Sequence, residues 1–141
     1  MLATFLLYVL AFGQATNTEI LIGPTAILDL SWDAVTTDIE GKPETIAGYE
    51  VSIGTPTIDP NLNPELITGI IQVPADTRTA DGIPLFLNKS MGKYHIFVRA
   101  IDAAGNWSIY SDPLEITWDP VPPAKPTLRY KVTIQIEITS P

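Results

Sequence analysis

Proline and glycine recur from one end of this chain to the other, and their spacing limits its regular elements to short ones. Thirteen Pro and nine Gly are spread over 141 residues. Proline removes a backbone donor and clashes with the preceding helical turn, while glycine weakens a helix interior, so long helices do not survive such punctuation. Strands joined by turns do. Between the breaks the apolar residues are mainly Ile, Val, Leu, Tyr and Trp, accompanied by Thr, and these pack well on a pleated surface. Hydrophobic residues make up 45% of the chain and charged residues 17%, which is too apolar for a disordered segment. The length suits one domain with a modest core.

The pattern predicts about seven short strands. Residues 19–22 form a short apolar run ended by Gly23-Pro24. Residues 26–32 alternate, with Leu28, Leu30 and Trp32 on one side and Asp29 and Ser31 on the other. Tyr49, Val51 and Ile53 alternate with Glu50 and Ser52. Alternation of this kind marks a half-buried strand. Residues 70–73 and 85–87 are shorter apolar runs, and residues 57–65, with Pro60 and Pro64, read as an exposed, stiff loop. The strongest pattern places Tyr94, Ile96, Val98 and Ala100 on one face and His95, Phe97 and Arg99 on the other. Leu114, Ile116 and Trp118 alternate with Glu115 and Thr117 in the last strand of the set. Short strands at regular spacing with turns between them predict an all-β sandwich or barrel.

Three of these segments resemble a fibronectin type III domain of the bacterial and phage surface-protein kind. Leu30-Ser31-Trp32-Asp33 resembles the family's second strand and its buried tryptophan, and Ala47-Gly48-Tyr49-Glu50-Val51 resembles its third strand. The run from Tyr94 through Ser108, containing Asp102-Ala103-Ala104-Gly105-Asn106-Trp107, resembles its sixth strand and following loop. Ser111-Asp112-Pro113-Leu114 matches the start of the last strand. The resemblance covers roughly residues 20–118. It implies an immunoglobulin-like β-sandwich with Trp32 buried beside Tyr49, Tyr94 and Val98. It also implies a tyrosine corner at Tyr94, whose hydroxyl bonds back to the preceding turn. The family implies no chemistry: its members act as spacers, adhesion modules and virion or cell-surface decorations.

Charge and residue inventory exclude several functions. The formal net charge is −8, the first basic residue is Lys42, and no Lys/Arg cluster is fit to grip phosphate. Nucleic acid and anionic membrane surfaces would repel such a chain. The absence of cysteine removes disulfides, thiol catalysis and thiolate metal sites. His95 is the only histidine, and no nucleophile or orienting acid is placed around it by the sequence. No zinc spacing, glycine-rich phosphate loop or Gly-x-Ser-x-Gly elbow is present. Asp33, Asp38 and Glu40 gather around one loop, and Asp102 and Asp112 flank another. Solubility and turn formation account for them, because Asp is a common turn former. The expectation is therefore a protein with no catalytic residues, no cofactor and no metal site; loose Ca²⁺ binding on these loops is the alternative, without the spaced acidic ligands of a known calcium loop. Trp107 and Tyr110, in or beside the loop after the sixth strand, are candidates to contact a glycan or a protein partner, although the resemblance favours Trp107 as a cover for the end of the core.

The two ends stand apart from the sandwich at 19–118. Residues 1–18 contain the apolar run 6–12, followed by Gly13-Gln14-Ala15. This reads either as a secretory signal, although no Lys or Arg precedes it, or as a buried strand. It is too short to span a bilayer, which takes about 20 apolar residues. At the other end, residues 119–126 form a stiff Pro-rich linker. Residues 127–141 then carry Tyr130, Val132, Ile134, Ile136 and Ile138, alternating with Lys131, Thr133, Gln135, Glu137 and Thr139. A lone strand is unstable in water, so this one is expected to pair with the N-terminal segment or with another subunit. Two functions fit these features. One is a structural or decoration protein of a larger assembly such as a phage virion. The other is a secreted or cell-surface adhesion module, binding carbohydrate through Trp107 and Tyr110.

Overall fold

The computed structural model describes residues Leu6–Tyr8 and 19–135. The fold is all-β: among the described residues the strands lie in two sheets, with two short 3-10 turns, Pro64–Leu66 and Ile83–Phe86. The smaller sheet has the order β1-β3-β6, formed by Leu6–Tyr8, Ile27–Ser31 and Thr79–Asp81. The larger has the order β2-β8-β7-β4-β5, formed by Leu21–Ile22, Leu114–Trp118, Gly92–Asp102, Ile46–Gly54 and Thr68–Pro74. β1 runs parallel to β3 and β2 parallel to β8, while the other pairs are antiparallel.

One core lies between the sheets. Leu28 and Leu30 of β3 meet Tyr49, Val51 and Ile53 of β4, Tyr94, Ile96 and Ala100 of β7, and Ile116 and Trp118 of β8. These are the alternate residues of each strand, because the pleat sends every second side chain to the same face. Each full burial of such a side chain stabilises the fold by about 1.5–3 kcal/mol. The core is closed at one end by Phe86, which stacks on Trp118 at 4.5 Å and meets Tyr94 edge-on at 5.9 Å. Gly82 lets the turn before Phe86 approach β3. A Cβ there would stand 2.7 Å from the Leu28 side chain and 3.0 Å from that of Leu30.

Several expectations are corrected by this arrangement. Residues 85–87 were expected to form a strand; residues 83–86 instead form a 3-10 turn, where Pro84 sits in the first turn and has no donor for a ladder. Leu85 and Phe86 are nevertheless buried. The three-residue strand β6 was not expected from residues 79–81, which carry too little alternation to show. Trp32 is half-buried rather than enclosed, and its ring lies 5.5 Å from that of Tyr49. Tyr94 is not beside it: Tyr49 faces Ala100 in register, and six residues of strand separate Ala100 from Tyr94, about 20 Å. Val98, also expected in the core, is half-buried at its edge. The hydroxyl of Tyr94 does donate to the carbonyl of Ser90 at 2.8 Å, as expected of a tyrosine corner.

Candidate functional site

β4 is buried from Gly48 to Gly54 without interruption. Its inner face, Tyr49, Val51 and Ile53, belongs to the core just described. Its outer face carries Glu50, 3% exposed, and Ser52, fully buried. The alternating pattern reads those two as solvent-facing, so something must cover them. Two loops do. The Pro-rich loop brings Ile58 and Ile67 over the outer face, where Ile67, Phe97 and Tyr110 form a second small cluster. The loop read as wholly exposed is thus partly a lid, with Pro60 buried.

The second cover is the segment from Trp107 to Ser111. β8 pairs with β7 only from Gly92 to Ile96. Beyond that, Ser108 N–H donates to the Ala100 carbonyl at 2.8 Å, and Ser111 N–H donates to the Val98 carbonyl at 2.8 Å. The hydroxyl oxygens of Ser108 and Ser111 accept from the N–H groups of Ala100 and Val98 at 2.9 and 3.0 Å. The two serines therefore complete the ladder that β8 leaves unfinished, and they aim Trp107 and Tyr110 at the same patch. Asn61 of the Pro-rich loop ties the covers together, its side-chain oxygen accepting from Tyr110 N–H at 2.9 Å.

Under these covers the sheet register sets three polar side chains in one row. Arg99 faces Glu50, and Glu50 faces Gln72. Arg99 Nη2 stands 2.9 Å and Nε 3.1 Å from Glu50 Oε1, and Gln72 Nε2 donates to Glu50 Oε2 at 3.0 Å. Both carboxylate oxygens are thereby satisfied, as a buried charge requires. The Arg99 guanidinium lies 4.0 Å from the Trp107 ring centre and 4.7 Å from that of Tyr110, a double cation–π contact. Tyr110 is 7% exposed, and burial pushes its phenol above the usual tyrosine range. Read from sequence as available to a partner, Tyr110 has its ring enclosed. Trp107 keeps 40% of its surface exposed.

The contacts of this cluster are with one another. Glu50, Gln72 and Arg99 were missed as a set. The signal that could have found them is opposite charge on adjacent strands at outward positions. His95 lies outside the row, its Nε2 2.8 Å from Glu115 Oε2, and that bond holds the Glu115 carboxyl below its ordinary range. The loop carboxylates form turns. Asp38 Oδ1 accepts from the N–H groups of Glu40 and Lys42. Asp102 accepts from Ala104 N–H and from both the backbone and the side chain of Asn106. The Asn106 side chain contributes most to lowering the Asp102 pKa. Among the described residues no three His, Asp or Glu side chains gather closely enough to hold a metal ion. No helix among them is long and apolar enough to cross a membrane.

The remaining candidate residues lie at the C-terminal end. After Trp118, Asp119 N–H donates to the Ile22 carbonyl at 2.9 Å, and from residue 119 to 135 no strand or helix forms. Leu128, Tyr130, Val132 and Ile134 are 89%, 86%, 70% and 78% exposed. Ile136 and Ile138, the rest of the expected strand, lie outside the described residues, as do most of residues 1–18. Leu6–Tyr8 pairs with β3. No family model, curated protein or solved structure matches this chain.

Proposed function

We propose that this protein is a non-enzymatic structural module of a larger assembly, a fibronectin type III-like sandwich that engages neighbouring subunits through its C-terminal segment. The observation that carries the reading is the exposed run of Leu128, Tyr130, Val132 and Ile134. A chain that covers its other alternating strands leaves its most regular one bare, and such a segment is stabilised by adding to a sheet elsewhere. The strand order supports the sandwich. β3 and β6 form one layer, and β8, β7, β4 and β5 the other, with the resembling segments on β3, β4 and β7. The assembly we propose is a phage virion, with the sandwich as its outward-facing structural or decoration part. Removing the residues after Pro126 tests the role. The shortened protein should melt like the full chain but disappear from the assembled-particle fraction. Unchanged incorporation would remove the basis of the proposal.

A second reading has its own support. Trp107 remains 40% exposed over Arg99, and an exposed indole is a stacking platform for a sugar ring. In that reading the module is a cell-surface or secreted adhesion domain. Titration with oligosaccharides, followed by tryptophan fluorescence in the full chain and in Trp107→Ala, separates the two. The mass of the native N-terminus adds a further discriminator: a start at Met1 favours the assembly and a start at Thr16 favours secretion.

A further inference from the structure

We infer that the C-terminal segment of one copy adds to the free edge of β5 in a second copy. The inference rests on the assembly role proposed above and names the receiving edge and the partner. Strand addition needs an open edge of useful length. Among the described strands at sheet edges, β1 has three residues, β2 two and β6 three, whereas β5 has seven. Natural edges are usually guarded by charge or by proline. β5, Thr-Gly-Ile-Ile-Gln-Val-Pro, carries no charge and has its proline only at the last position; a bulge at Gly69 interrupts its start and leaves residues 70–73 in regular register with β4. Ile70 on this edge is 54% exposed.

The two surfaces match in pattern. Ile71 and Val73 face Val51 and Tyr49 and so share the inner face, while Ile70 and Gln72 share the outer. An incoming strand with Tyr130, Val132 and Ile134 on its inner side would extend the core side of the sheet. Lys131, Thr133 and Gln135 would then lie beside Ile70 and Gln72.

The two surfaces also match in charge, and this selects a second copy as the occupant. Fifteen acidic and five basic residues precede Pro120, whereas three basic residues and one acidic one follow it. Those three, Lys125, Arg129 and Lys131, lie in and before the incoming strand. Between Lys42 and Arg78 there is no basic residue, and Glu65 and Asp76 stand before and after β5. Lys89 Nζ donates to Thr68 Oγ1 at the start of β5, so the edge keeps a small net negative charge, carried by Glu65 and Asp76, and the cationic tail of one copy meets it with favourable sign.

The absence of native cysteine makes the contact directly testable. Ile70→Cys in one preparation is mixed under mild oxidation with Lys131→Cys, Thr133→Cys or Gln135→Cys in another. Thr79→Cys on β6 serves as the control edge. Neighbouring strands bring such residues within disulfide reach. The expected result is a linked heterodimer between Ile70→Cys and at least one tail position, and none with Thr79→Cys. In the full chain, Ile70→Lys should raise the concentration needed for association by about tenfold through like-charge repulsion with Arg129 and Lys131. Association that persists while the links fall on β6 would overturn the receiving edge and leave the assembly role standing. A chain that stays monomeric at every concentration, while still entering its particle through residues 127–141, would overturn the second copy as partner.

Discussion

β7 and the C-terminal segment carry nearly the same pattern and meet opposite fates. Tyr94, Ile96, Val98 and Ala100 alternate with His95, Phe97 and Arg99, the middle one apolar, and Tyr130, Val132 and Ile134 alternate with Lys131, Thr133 and Gln135. In β7 the first set lies against the core, flanked by β4 on one side and β8 on the other. In the tail the second set stands in solvent. β-propensity is shared, and alternation differs only in that Phe97 gives β7 an apolar residue on its outer face as well. The difference in fate lies in what the connecting chain permits. β7 follows a turn closed by Lys89 N–H donating to the Phe86 carbonyl at 2.9 Å and returns beside β4, whereas Pro120, Pro122, Pro123 and Pro126 stiffen the chain after β8 and favour a course off the sheet. Alternation specifies the faces of a strand but not its neighbour.

The largest effects should come from the β7 side of this comparison. Phe86→Ala removes the ring that stacks on Trp118 and meets Tyr94, and should cost about 3–5 kcal/mol, measured as a shift in urea midpoint. Ile134→Ala in the tail, a deletion of similar chemical kind, should leave that midpoint within about 0.5 kcal/mol while weakening association. Equal losses from both would mean that the tail belongs to the folded core.

Arg99→Met tests the outer face of the same strand. It leaves Glu50 buried with only Gln72 to answer it, and should cost about 3 kcal/mol, the lower end for a broken buried ion pair. It should also raise the fluorescence change of Trp107 on titration with a soluble quencher, because the indole loses its guanidinium backing. Trp32→Ala should cost less, about 2 kcal/mol, since half-burial halves the area lost. A larger loss than for Phe86→Ala would contradict the half-buried position of Trp32.

The smallest effect is a pH dependence confined to the folded domain. Asp102 and Glu115 have lowered pKa values, so the unfolded chain takes up their protons first as pH falls. Their contribution is complete above the ordinary carboxylate range, near 4, and is lost as pH falls through the lowered values. Asp102→Asn and Glu115→Gln should therefore lower stability slightly and evenly above the ordinary carboxylate range, where that contribution is complete, and flatten the acid limb, so that the difference from the native chain shrinks as pH falls. Both groups are solvent-exposed, so salt should reduce the difference.

The inner core was legible in the sequence because period-2 alternation over Leu28 to Trp32, Tyr49 to Ile53 and Tyr94 to Ala100 marks one apolar face. The outer cluster was not. Glu50 and Ser52 follow the same alternation as solvent-facing residues, and nothing local reveals that two loops distant in sequence fold over them. The cover depends on Ser108, Ser111 and Asn61 bonding across the sheet, contacts that single-strand patterns do not encode. The misplacement of Trp32 has a similar cause. Its segment suggested a buried tryptophan, but β3 ends at Ser31, so the ring falls at the mouth of the core. The bond from the Tyr94 hydroxyl back to the preceding turn could be anticipated because its partner, the Ser90 carbonyl, is only four residues away.

Hydrogen–deuterium exchange of the full chain, followed over a dilution series, tests most directly whether the tail is a strand completed by another molecule. Amides of β7 should be strongly protected at every concentration. Amides from Leu128 to Gln135 should exchange at the unprotected rate in dilute solution and become protected, together with those of β5, as concentration rises. Tail protection that survives dilution would show a partner within its own chain. Tail exchange that stays unprotected at all concentrations would show that no second copy receives it.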